Sequence, residues 1–144
     1  MRRATFLLLV FLSVSWAGSL GQSAPKLTTP QIVATFQRLN QTKEIKPVTL
    51  YTPPQWGTFR VSIVMVLTVG NGNQNTEWDG WFRFVDGAGM SQYVLALPGN
   101  TPQRTFAEFP IRVKPGTPLT FAVKPLNDPS GSKYNVWVVV EQLM

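Results

Sequence analysis

Thr58-Phe59-Arg60-Val61-Ser62-Ile63-Val64-Met65-Val66-Leu67-Thr68-Val69 is the stretch on which the fold turns. Phe59, Val61, Ile63, Met65, Leu67 and Val69 form one unbroken apolar set, and Arg60, Ser62, Val64, Val66 and Thr68 fall between them. In an extended chain successive side chains point to opposite faces, so this period of two sends the first set into a core. The second set is polar at its ends and apolar in its middle. Val64 and Val66 therefore stand where an exposed sheet carries polar side chains, which predicts cover by another element or another subunit.

The same pattern continues downstream, in short runs separated by turn-forming residues. Gly70 to Asn75 makes a loop into Glu77 to Val85, a strand holding Trp78, Trp81, Phe82 and Phe84. Asp86-Gly87-Ala88-Gly89 is a tight hairpin connection into Met90 to Leu97. After Pro98 to Pro102 the chain extends again over Arg104 to Val113, and Lys114-Pro115-Gly116-Thr117-Pro118 has the proline and glycine of a type II turn. Leu119 to Lys124 and Lys133 to Glu141 follow, the last with Tyr134, Val136, Val138 and Val140 on its core face. With Val48 to Thr52 as a first strand there are about seven, at the spacing of an all-β, antiparallel two-sheet sandwich of jelly-roll-like form; a barrel is the alternative.

Upstream of the strands the pattern differs. Met1, Arg2 and Arg3 precede the apolar run Ala4 to Val14, and small residues at Ser19 and Gly21 suit a signal peptidase, so residues 1–21 read as a signal peptide. The chain is then expected to be secreted or periplasmic, with no stable membrane anchor after cleavage. Residues 22–45 are read as a leader. Within it Thr28 or Thr29 before Pro30 resembles a capped helix start, and Ile32, Phe36 and Leu39 at i, i+4 and i+7 predict a short helix over 30–39. The sandwich is assigned to residues 46–144.

Composition limits the chemistry. The 144 residues include no Cys and no His, which removes disulfides, thiolate and imidazole catalysis and the usual zinc, haem and iron-sulfur ligands. An apolar share of 44% against 14% charged residues supports a buried core. The formal charge is +6, of which Arg2 and Arg3 supply two, and the remaining basic residues are scattered singly. Nucleic acid is therefore not an expected partner.

Two constellations have a possible chemistry. Glu77 and Asp79 share a strand face with Asp86 near its end, as a glycosidase carboxylate pair would, but solvated strand edges look the same. Asp79, Asp86 and Asp128 with Asn71, Asn73, Asn75 and Asn127 offer oxygen ligands to calcium, yet these residues also favour turns for conformational reasons. Neither reading is adopted, so no catalytic residue, metal ligand or cofactor is expected. The tryptophans are more informative. Trp81 and Trp137 lie opposite the core faces of their strands, and each is an outward aromatic suited to a subunit interface or to stacking of sugar rings. Cover by the predicted helix is the third possibility.

A resemblance joins these cues. Tyr51-Thr52-Pro53-Pro54 leading into Gly57-Thr58-Phe59-Arg60-Val61-Ser62, then Val113-Lys114-Pro115-Gly116-Thr117-Pro118-Leu119-Thr120-Phe121, then Tyr134-Asn135-Val136-Trp137-Val138 resembles the jelly-roll modules of the C1q and tumour-necrosis-factor type. Similar small modules look to be present in exported bacterial and phage-encoded proteins. The resemblance spans roughly Val48 to Met144 and implies a ten-strand sandwich that often trimerises through one sheet and binds partners through exposed loops. This chain is shorter than that pattern, and no functional residue carries over.

The expected function is a secreted, non-catalytic module of protein interaction or assembly, a possible homo-oligomer or binder of an extracellular protein. The alternative is a carbohydrate-binding module with a polysaccharide ligand. The candidate ligand or interface residues are Trp56, Val64, Val66, Trp81 and Trp137.

Overall fold

The computed structural model describes residues 29–143. The signal peptide expected over residues 1–21, and residues 22–28 of the leader after it, lie outside the described residues. Eight strands run in chain order: β1 Gln31–Gln41, β2 Ile45–Tyr51, β3 Gly57–Val69, β4 Glu77–Val85, β5 Met90–Pro98, β6 Gln103–Val113, β7 Leu119–Leu126 and β8 Lys133–Gln142. They form two four-stranded antiparallel sheets, sheet A in the order β1-β8-β3-β6 and sheet B in the order β2-β7-β4-β5. The hairpin β4–β5 stays within sheet B, and the remaining connections between consecutive strands pass from one sheet to the other. The result is a jelly-roll sandwich.

The expected helix over 30–39 is a strand instead. Gln31–Gln41 pairs with β8, setting Phe36 opposite Val138 and Gln37 opposite Trp137. The spacing of Ile32, Phe36 and Leu39 suits a helix, but Ile32, Val33, Thr35 and Phe36 are β-branched or aromatic and fit a pleated surface equally well. What decides is not local. β8 has an edge to fill, and Phe36 packs its ring 5.8 Å from Phe121 of the other sheet. Ile32 and Leu39 stay 61% and 46% exposed, so the three residues do not share a buried face. With β1 counted, the strands number eight rather than seven. β1 extends sheet A in its own plane and covers neither outer face.

The core lies between the sheets, as the alternation in β3 requires. Phe59, Val61, Ile63, Met65 and Leu67 of β3 are buried against Trp78 and Phe82 of β4 and Phe121 of β7. Burying a side chain of this size contributes about 1.5–3 kcal/mol, so a few such residues exceed the net stability of a domain. The two largest have their polar ends satisfied. Trp78 Nε1 donates to Ser132 Oγ at 2.9 Å, and Tyr134 Oη donates to the Lys43 carbonyl at 2.9 Å, with the two rings 4.5 Å apart. At Gly80 the two sheets pack closely: a Cβ there would stand 2.7 Å from Met65 Sδ.

The turns follow the expected chemistry. Asp86 closes the β4–β5 hairpin, its Oδ1 accepting from the backbone N–H of Ala88 and Gly89 and its Oδ2 accepting from Ser91 Oγ at 2.9 Å. Those bonds hold its carboxyl below the usual range, with the Ala88 N–H the largest cause. Gly116 adopts φ 71°, the positive value that the third position of a type II turn demands.

Candidate functional site

The outer face of sheet A brings three of the five candidate residues together. Pairing in register places Trp137 between Gln37 of β1 and Val64 of β3, and Val64 beside Phe106 of β6. The central row of this face is thus Gln37, Trp137, Val64, Phe106. The row on one side holds Asn135, Val66 and Arg104, and the row on the other holds Thr35, Val139, Ser62 and Glu108. Trp137, Val64, Val66, Val139 and Phe106 form one apolar patch with polar side chains around it. Beyond Glu108 the face closes with an ion pair between Arg60 and Glu141, and Ser62 Oγ donates to Glu108 Oε2 at 3.0 Å.

Phe106 is the member that sequence reading missed. It is 54% exposed, a large aromatic that ends the central row on the edge strand β6. The signal was present in β6, where Arg104, Phe106 and Glu108 occupy alternate positions opposite the buried Phe109, Ile111 and Val113.

Trp81 lies on the opposite side of the molecule, on the outer face of sheet B. It pairs with Val94 of β5 and Ala122 of β7. Arg83 Cζ stands 5.5 Å and Lys124 Nζ 5.6 Å from its ring centroid, so the indole has cations on two sides. Asp79 and Glu77 continue the same face of β4. Burial raises the Glu77 carboxyl above its ordinary range, and the neighbouring Asp79 carboxylate raises it further. At the other end of the row, Arg83, Phe84, Val85, Met90, Pro118 and Thr120 line a hollow of about 250 Å³. Trp56 is elsewhere again, in the β2–β3 connection, 44% exposed with Arg112 Cζ 5.4 Å from its ring. Arg112 is outward on β6 and pairs with Thr58, so Trp56 stands at the far end of sheet A's outer face, three rows of paired residues from Trp137, with Trp81 on the other sheet; the three form no common platform.

The oxygen-rich loop residues are engaged with one another. Asn71 Oδ1 accepts from Asn73 N–H and Asn73 Oδ1 from Asn75 N–H, each at 3.0 Å. Asn127 Nδ2 donates to the Asn75 carbonyl and Asp128 Oδ1 accepts from Ser130 N–H at 2.9 Å. The bonds at Asn71, Asn73 and Asp128 are Asx turns within their own loops, and the Asn127 bond ties the β7–β8 loop to the β3–β4 loop.

No protein-family model and no curated protein matches the chain. Solved structures do. The globular domain of zebrafish complement 1qA aligns over 77% of this chain and 97% of its own at a TM-score of 0.50 and 8% identity. An Eiger tumour necrosis factor from S. frugiperda aligns over 79% and 94% at 0.43 and 12% identity, and a family 16 carbohydrate-binding module over 71% of each chain at 0.40 and 11%. The sandwich thus resembles the C1q and tumour-necrosis-factor type, as its turn and strand cues implied. At these identities the likeness is one of fold alone.

Proposed function

We propose that the protein is an exported, non-catalytic module of interaction or assembly, and that the outer face of sheet A docks a second copy of the same chain. The observation that carries this reading is the central row of the face, where Trp137, Val64 and Phe106 stand side by side in register. Apolar aromatic centres with polar rims are the usual anatomy of a protein interface. The flanking charges favour a second copy over an unrelated partner. Arg104 and Glu108 lie one row to either side of Phe106 in the same strand. A two-fold axis along the central row interchanges those rows, setting each Arg104 opposite the partner's Glu108, so the face is complementary to itself.

Four strands about 4.8 Å apart and about 30 Å long present on the order of 600 Å². That approaches the roughly 800 Å² per partner of a standard interface, which implies association of modest strength. Light scattering over a range of concentrations tests the reading. The chain should change from monomer to dimer, and Phe106→Ser should hold it monomeric with its fold intact. A monomer at every concentration, or a dimer indifferent to Phe106→Ser, refutes docking through this face.

A further inference from the structure

Among the described residues, three buried side-chain polar atoms have no hydrogen-bond partner: Asp79 Oδ1, Trp81 Nε1 and Arg83 Nε. They belong to three consecutive outward positions of one strand, on the outer face of sheet B. Buried polar atoms in folded proteins are nearly always paired, and orphans that gather at one place ask for an external partner. The cover over them is movable, since Arg83 and Lys124 reach Trp81 with long single side chains.

The orphaned atoms define what would satisfy them. Trp81 Nε1 and Arg83 Nε are donors and require oxygen acceptors, while Asp79 Oδ1 is an acceptor and requires a hydroxyl or N–H donor. The ion pairs among the described residues are Lys46 with Glu44 and Arg60 with Glu141; Lys124 stands across from Asp79 in the register but forms no ion pair with it, and Arg83 forms none either, so both cations are open to a ligand carboxylate. The indole adds a flat apolar surface. We propose that this face binds an acidic polysaccharide of the uronic-acid type, a hydroxyl donating to Asp79 Oδ1, a sugar ring over Trp81, and carboxylates accepting from Arg83 and Lys124.

Other anionic ligands fit less well. A DNA backbone or a fatty acid brings charge but no hydroxyl donor for Asp79, and Asp79 with Glu77 repels the phosphates of DNA, RNA or a free phosphate alike. A neutral glycan leaves both cations unused. The hollow beside Arg83 has room for a ring substituent next to the stacked sugar. The proposal is independent of the reading of sheet A, which lies on the other side of the sandwich.

Polygalacturonate is the probe, tested on the full chain by affinity electrophoresis and calorimetry, with polyacrylate and dextran as controls. Polyacrylate has the carboxylates without rings or hydroxyls, and dextran the rings without charge. Polygalacturonate should bind at least about tenfold more tightly than either control, and Trp81→Ala and Arg83→Gln should each weaken it roughly tenfold. Trp81→Phe, which retains a ring and loses Nε1, should lie between and guards against misfolding of the alanine variant. Phe106→Ser should bind as the parent does. Equal retention by polyacrylate, unchanged binding in Trp81→Ala and Trp81→Phe, or no binding of polygalacturonate would overturn the proposal.

Discussion

Exchanging two charges on β6 tests the proposed two-fold more sharply than removing its aromatic centre. Arg104, Phe106 and Glu108 stand opposite Val66, Val64 and Ser62, so the charges are one row either side of Phe106. Under a two-fold axis each Arg104 meets the partner's Glu108, and the contact occurs twice. An exposed ion pair contributes about 0.2–1 kcal/mol. In Arg104→Glu both attractive contacts are lost and both become repulsive. That is four steps of about 0.5 kcal/mol, a swing of about 2 kcal/mol or thirtyfold in Kd. Glu108→Arg should weaken the dimer by a similar factor, with a small further loss of the bond from Ser62. The double exchange Arg104→Glu with Glu108→Arg restores attraction and should recover most of the affinity. Sedimentation at low ionic strength measures all four proteins, and added salt should shrink the differences among them. Should the double exchange dimerise no better than the single variants, the charges do not face each other and the two-fold is wrong.

Three further outcomes follow from the interior. Ser132→Ala leaves the buried Trp78 Nε1 without an acceptor and should lower stability by about 1–3 kcal/mol, read as a loss of several degrees in Tm. Gly80→Ala puts a methyl group 2.7 Å from Met65 Sδ. Overpacking of about 1–3 kcal/mol should outweigh the roughly 0.5–1 kcal/mol that alanine gains over glycine in a strand, so chemical denaturation should show a net loss. Burial, reinforced by the nearby Glu44 carboxylate, raises the Tyr134 phenol well above its ordinary value. Its neutral form is therefore favoured by folding, a contribution complete below the unfolded value of about 10 and lost as pH rises beyond it. Tyr134→Phe should be less stable near neutrality, losing the bond to the Lys43 carbonyl, and should flatten the alkaline limb of a stability–pH curve.

What the sequence disclosed and what it concealed divide by range. β3 was legible because its alternation is local and uninterrupted, and the β4–β5 hairpin because Asp86 and Gly89 supply their own turn chemistry. β1 was misread because Ile32, Phe36 and Leu39 satisfy a helical spacing, while the edge of β8 that draws them into a strand is about a hundred residues away. The candidate faces show the same limit. Val64 and Val66 stood out as apolar on a face that should be wet, and Trp137 as outward from its strand. That the three share a patch, and that Phe106 completes it, depends on pairing residues 37, 64, 106 and 137 across four strands. Trp81 was recognised as outward, but the orphaned atoms beside it are a property of side-chain placement that no spacing rule reveals.

Because β1 and β8 are neighbours and antiparallel, Gln31 stands directly opposite Gln142. The first and last strands of the sandwich thus begin and finish within one strand spacing of each other, about 5 Å. A loop of a few residues joining those positions would make the eight strands a closed ring of chain, which could be cut open at the β4–β5 turn without breaking a ladder. Circular permutants opened between Gly87 and Ala88 are thereby accessible. By the same geometry the sandwich can be spliced into a surface loop of a host protein without forcing the host's two ends apart.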